Sequence, residues 1–154
     1  MNPEINHLYG NKIRLRICGL CWQKDQLLLA NHRGLTTGDF WAPPGGGLEF
    51  GESVDQCLQK EFLEETGLRI SMGPFRFACE FINQPLHAIE LFFEVAIAGG
   101  VLQKGDDPEM AMIEEVRFMS GSDIARIPAP SLHGIFSLVH SPQDLKTLNG
   151  FFRI

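Results

Sequence analysis

The sequence predicts an α+β fold in which one mixed β-sheet is packed between a few helices. Three observations point there. Strand-like segments outnumber helical ones and come in neighbouring pairs joined by short polar turns, the pattern of hairpins and not of a doubly wound parallel sheet. One helix is marked at both ends, and a second apolar stripe at helical spacing lies near the C-terminus. The chain has 154 residues, 44% of them hydrophobic, which is enough for one core and too little for two. No repeat, low-complexity tract or linker divides it, so residues 1–154 are expected to form a single domain, with polar residues 1–11 as a loosely ordered N-terminal segment.

Taken in order, residues 13–22, the polar Gln23-Lys24-Asp25-Gln26 and residues 27–32 read as two strands of a hairpin. Residues 33–39 form a Gly- and Thr-containing loop. Pro43-Pro44-Gly45-Gly46-Gly47 cannot be the interior of a helix or of a central strand. Ser53 followed by Gln56 is a capping box, and helix formers continue to Gly67, a natural stop. Phe75, Phe77, Cys79 and Phe81 then alternate with other residues as a strand with one apolar face. Asn83-Gln84-Pro85 turns the chain, residues 87–98 form a longer strand that Gly99-Gly100 interrupts, and Asp106-Asp107-Pro108-Glu109 is an acidic loop. A final short strand is expected at 116–119. Leu132, Ile135, Phe136 and Val139, after Ser131 as a cap, predict an amphipathic helix whose stripe is core.

Composition removes several classes of function. A net charge of −6 gives no electrostatic footprint for duplex nucleic acid. It does not exclude a small anionic substrate, because a bound divalent cation reverses the local sign of a carboxylate-lined pocket. The polar N-terminal residues lack the pattern of a signal peptide, and apolar runs are too short to span a bilayer, so a cytoplasmic location is expected. Cys18, Cys21, Cys57 and Cys79 lie in segments that read as core. Cys18 and Cys21, three apart in an extended run, point to opposite faces and are read as buried thiols, not as a redox or zinc pair.

The helix over residues 53–66 carries the most chemistry. At about 100° per residue, Val54, Cys57 and Leu58 define its apolar face, Glu61, Glu64 and Glu65 continue that side, and Gln56, Gln59 and Thr66 lie opposite. A Glu-rich helix ordinarily turns its acids to water, and here they fall on the wrong side for that. They also sit near the negative end of the helix macrodipole, where like charges at i,i+3 and i,i+4 repel. Lys60 alone is too little compensation, whereas a hard divalent cation suits such a cluster. The glycine run supplies the complementary half, since residues without Cβ let backbone groups approach a metal or a phosphate.

Gly46, five residues, Glu52, seven residues and then Lys60-Glu61-Phe62-Leu63-Glu64-Glu65-Thr66-Gly67-Leu68 resembles the Nudix box. Lys60 stands where that family has Arg, and Phe62 is bulky for an aliphatic position. Trp41-Ala42-Pro43-Pro44-Gly45-Gly46-Gly47 and Glu114-Glu115-Val116-Arg117-Phe118 also resemble segments that flank the box in the family. The resemblance implies a Nudix-type α/β/α sandwich with the box as a loop-helix-loop. It further implies Glu61, Glu64, Glu65 and the Gly45 carbonyl as metal ligands, Gly46, Glu52, Lys60 and Gly67 as structural box residues, and Mg²⁺ as the cofactor, with Mn²⁺ able to substitute. Glu52 would pair with Lys60, an ammonium in place of a two-pronged guanidinium.

The implied activity is hydrolysis of the phosphoanhydride of a nucleoside diphosphate linked to another moiety, such as a nucleotide or nucleotide sugar. Glu64, Glu65 or the acidic loop residue Glu109 would serve as the base. Arg33, where relatives often hold an arginine facing phosphate, and Trp41, by stacking on a base, are candidate substrate contacts, each with a structural alternative at the surface or in the core. Pro85 lies near the position that marks ADP-ribose hydrolases without a clear match to it, and the substrate is not fixed by the sequence. His32 and His87 are assigned no role. The competing reading is a non-catalytic nucleotide-binding module. Expected partners are a small phosphorylated substrate, with no membrane and no duplex nucleic acid, and a homodimer is left open.

Overall fold

The structure, a computed structural model, describes residues 3–33, 38–103 and 113–154, apart from the side chain of Glu114. β1 (Lys12–Gln23) and β2 (Gln26–His32) form the expected hairpin, pairing Trp22 with Leu27 and Gln23 with Gln26. Lys24 takes the left-handed conformation at the turn, with φ 56°. β5 (Leu68–Asn83) and β6 (Leu86–Gly100) form the second hairpin through the cis Gln84-Pro85 bond. β6 runs parallel to β1, from Lys12 opposite Leu86 to Cys21 opposite Val95, which makes the sheet mixed. Two short strands, β3 (Trp41–Ala42) and β4 (Gly45–Gly47), pair with β2 and β1, and β7 (Ile113–Met119) lies along β2. With β8 (Gly150–Arg153) on the far edge, the order is β3-β2-β1-β6-β5-β8.

Helix α2 (Val54–Thr66) covers one face of the sheet through Cys57, Leu58 and Phe62, packed on Ile17, Cys21, Leu28 and Ile70. The opposite face carries Cys18, Leu29, Phe77 and Phe92, covered by Ile124 of helix α3 (Gly121–Ala125) and by Ile135 and Leu145. Phe77 and Phe92 stack at 4.7 Å between ring centroids. The result is an α/β/α sandwich. Cys18 and Cys21 fall in different cores, as their spacing requires, and all four cysteines are buried and free.

Several local expectations are corrected. Within the segment expected to be loosely ordered, residues Pro3–Tyr9 form a helix, α1, which buries Ile5 and sets the Tyr9 ring under the Arg14 guanidinium at 3.8 Å. Gly99 and Gly100 do not interrupt β6 but remain paired, with Arg69 and Leu68. Phe77 and Cys79 are buried as the alternation predicts, yet the register with β6 shifts between Phe75 and Phe77 and turns Phe75 outward. β7 is not the final strand, because β8 adds to β5 in parallel. The C-terminal apolar stripe is core at Ile135, but its backbone runs as 3₁₀ turns at Ala129–Ser131, Gly134–Leu138 and Pro142–Lys146. Pro128, Pro130, Gly134 and Pro142 break up any longer α-helix there, and the His133 ring, not Ser131, accepts the Ile135 N–H.

Candidate functional site

The site is built where the glycine strand meets the acidic end of α2. Pro43 and Pro44 deliver the chain to β4, whose Gly45 lies so close to β1 that a Cβ would sit 2.3 Å from the Ile17 carbonyl oxygen. At Gly46 a Cβ would stand 2.3 Å from the carboxyl carbon of Glu61. Glycine is therefore required here by contact, with backbone on one side and with an acid of the helix on the other.

Helix α2 begins at the full capping box, Ser53 Oγ accepting from the Gln56 N–H and the Gln56 side chain accepting from the Ser53 N–H. It ends at Gly67 in the left-handed conformation, with φ 76°. Between these stops Glu65 is only 1% exposed, and its Oε2 accepts the Gly45 N–H at 2.9 Å. Thr66 was expected on the opposite side and is buried instead. Its hydroxyl donates to the Phe62 carbonyl at 2.6 Å, and its own carbonyl accepts the Gln103 N–H at 2.9 Å, because the chain reverses at Gly67 and covers the last turn. Lys60 Nζ lies 2.7 Å from Glu52 and 3.9 Å from Glu61. The contact with Lys60 holds the Glu52 carboxyl below the usual carboxylate range.

A second layer of buried polar groups, none of them a sequence candidate, stands behind Gly45. Arg16 Nη2 donates to the Gly45 carbonyl at 3.4 Å, and Nη1 lies 3.6 Å from Glu90 Oε2. Glu90, 5% exposed at its side chain, contacts the His133 ring Nε2 at 2.8 Å through Oε1, while the Cys18 thiol donates to Oε2 at 3.7 Å. Burial opposes ionisation of Glu90, but His133 and Arg16 outweigh it and hold the carboxyl down at about 2. His32 Nε2 is 4.0 Å from Glu65 Oε1. Burial first, then Arg16 and His133, push its imidazole down to about 3, so it is neutral near pH 7 and makes no ion pair with Glu65.

The profile of the NUDIX domain matches residues 12–137. The chain belongs to the NUDIX family. A curated relative, the ADP-ribose pyrophosphatase of Methanocaldococcus jannaschii, is 28% identical over 95 residues, 60% of this chain and 56% of the relative. The chain thus spans about half the length of that curated relative. Among solved structures, a NUDIX hydrolase from Nitrosomonas europaea superposes with a TM-score of 0.65 at 22% identity, covering 76% of this chain and 82% of that one. A MutT protein from Methanosarcina mazei Go1 does so with a TM-score of 0.66 at 19% identity, covering 82% and 88%. Both likenesses are likenesses of fold.

Within this NUDIX domain the box residues Gly46, Glu52, Lys60 and Glu61 come together, Gly45 just before the box is bonded to Glu65, Gly67 closes the helix, and Glu64 stands one turn from Lys60 and Glu61. Among the described residues, no three acidic, histidine or cysteine side chains already converge as a ready-made cation site. The outlying candidates are placed differently. Trp41, proposed to stack on a base, is 7% exposed within the core beside Leu29 and Ile135, so packing accounts for it. Arg33 is half exposed and directs Nε and Nη2 to Asp39 at 3.1 and 2.9 Å. Glu109 lies outside the described residues.

Two consequences for the NUDIX domain are measurable. Lys60→Arg is expected to keep or modestly raise activity, because a guanidinium can hold Glu52 with two parallel bonds, whereas Lys60→Ala should cost up to about 1 kcal/mol of stability. Urea melts and kcat of the two variants check this. Glu90 carries stability that is fully present above its ordinary value of 4.5 and is lost as pH falls towards about 2. Glu90→Gln should cost about 3–5 kcal/mol near neutral pH, by removing the buried charge that faces His133 and Arg16, and should flatten the acid limb of the stability profile between those two pH values.

Proposed function

We propose that this NUDIX domain hydrolyses, with a divalent cation, the phosphoanhydride of a nucleoside diphosphate linked to a second moiety. The observation that carries the reading is the junction of glycine strand and acidic helix. Gly45 donates to Glu65, and the Glu61 carboxyl lies in the space that any side chain at residue 46 would fill. That cradle, with three carboxylates over the last two turns of α2, is a donor set of hard oxygens and fits Mg²⁺ or Mn²⁺. Glu61, Glu64, Glu65 and the Gly45 carbonyl would hold it. The cation supplies charge neutralisation at the diphosphate oxygens and a more acidic water.

The protein's own groups do the rest. The Gly45 amide fixes the Glu65 carboxylate, and Lys60 with Glu52 props the turn that leads from the glycine strand into the helix. A carboxylate takes the proton of the attacking water, Glu64 or Glu65 from the helix or Glu109 from the later acidic segment of the sequence. A cytoplasmic location belongs to the same reading and is supported by four cysteines that are all free.

ADP-ribose is the first substrate to test, since the curated relative is an ADP-ribose pyrophosphatase. Release of phosphorylated product from ADP-ribose, a UDP-sugar and a nucleoside triphosphate should be measured with and without Mg²⁺. Cation-dependent turnover of one of them is expected, together with a rise in melting temperature in millimolar Mg²⁺ or Mn²⁺. Absence of both turnover and a thermal shift would overturn the proposal.

A further inference from the structure

Three basic side chains among the described residues reach the glycine strand or the acids of α2. Lys60 is engaged by Glu52 at 2.7 Å, and Arg14 lies over the Tyr9 ring. The third is Arg16. A guanidinium has five N–H donors in a planar fork. Arg16 spends few of them: its contact with the Gly45 carbonyl is 3.4 Å, its distance to Glu90 is 3.6 Å, and its buried Nε has no hydrogen-bond partner among the described residues. Glu90 gives its short contact, 2.8 Å, to His133 instead. The side chain retains 21% exposure.

From this geometry we infer that Arg16 is the anion-binding group of the site, taking non-bridging oxygens of the substrate's diphosphate on its guanidinium, with Glu90 and His133 holding it in place. The inference rests on the proposed function for the identity of the anion. Its logic is electrostatic. The carboxylates Glu61, Glu65 and Glu90 around Arg16 repel a diphosphate unless fixed positive charge accompanies the metal, and a guanidinium matches phosphate geometry with two parallel bonds. Glu90, anchored to His133, sets the direction of Arg16 without consuming its fork. Arg33, a candidate phosphate contact in the sequence, is paired with Asp39 at the surface.

A bland alternative is that Arg16 is only the counter-ion of a buried carboxylate. The two readings separate in a double mutant. Binding of α,β-methylene-ADP with Mg²⁺ is measured by calorimetry for wild type, Arg16→Lys, Arg16→Gln and Arg16→Gln/Glu90→Gln, with metal-free melting temperatures and, where turnover exists, KM and kcat. Arg16→Gln should weaken binding by about 10- to 100-fold. Arg16→Lys should recover part of that loss. The double variant should recover the melting temperature lost in Arg16→Gln, since the buried charge is gone, but not the affinity. Affinity returning together with stability would overturn the inference, as would wild-type affinity in Arg16→Gln. If wild type binds the probe but hydrolyses none of the candidate substrates, the hydrolase reading fails while the affinity series still decides the role of Arg16. If wild type does not bind the probe at all, the inference falls as well.

Discussion

Glu65→Gln is expected to lower kcat by about 10³-fold, equivalent to roughly 4 kcal/mol of transition-state stabilisation, while leaving the protein folded. The fold should survive because the amide oxygen of glutamine can accept the Gly45 N–H in place of Oε2, and because a side chain only 1% exposed loses an unfavourable buried charge. The metal-free melting temperature should stay level or rise, and the thermal shift produced by Mg²⁺ should shrink. Near-wild-type turnover of the purified variant at saturating Mg²⁺ would exclude Glu65 from the metal site.

Neighbouring glycines are expected to fail in different ways. In Gly45→Ala the new methyl meets main chain, 2.3 Å from the Ile17 oxygen and 2.7 Å from Cys18 Cα, so β4 must part from β1 at a cost of about 1–3 kcal/mol or more. In Gly46→Ala its three nearest neighbours are atoms of the Glu61 carboxyl, the closest at 2.3 Å, and a carboxyl can swing away cheaply. Stability should then change little, whereas a displaced Glu61 should slow turnover by roughly 10²-fold, the order of loss expected from a misplacement of about 1 Å. Denaturant melts and kcat for the two variants give the comparison. Equal loss of stability in both would mean that Glu61 is wedged and not merely resting against Gly46.

The parts of this site written in local signals were legible in the sequence. Ser53 with Gln56 and Gly67 delimit the helix because capping is chemistry between residues a few positions apart, and the acids of its inner face follow from a 3.6-residue period. Arg16, Glu90 and His133 were not legible, since they meet across 74 residues from Arg16 to Glu90 and 43 from Glu90 to His133. A signal existed at Ile13-Arg14-Leu15-Arg16-Ile17, whose alternation marks a strand but does not say which face turns inward. Here the arginines face the site, while Ile13 is 68% exposed and Leu15 38%. Trp41 shows a different limit: an aromatic beside a proline-rich loop carries the same local pattern whether it packs or binds, and both readings stood open until its burial was seen.

The reversal at Gly67 reaches beyond the helix. The Thr66 carbonyl fixes Gln103, and Ile113 pairs with His32, which stands beside Glu65. The last turn of α2 is thus tied to Gln103 through its main chain and to β7 through His32, so a change in either neighbour reaches the surroundings of Glu65 without passing along the helix itself.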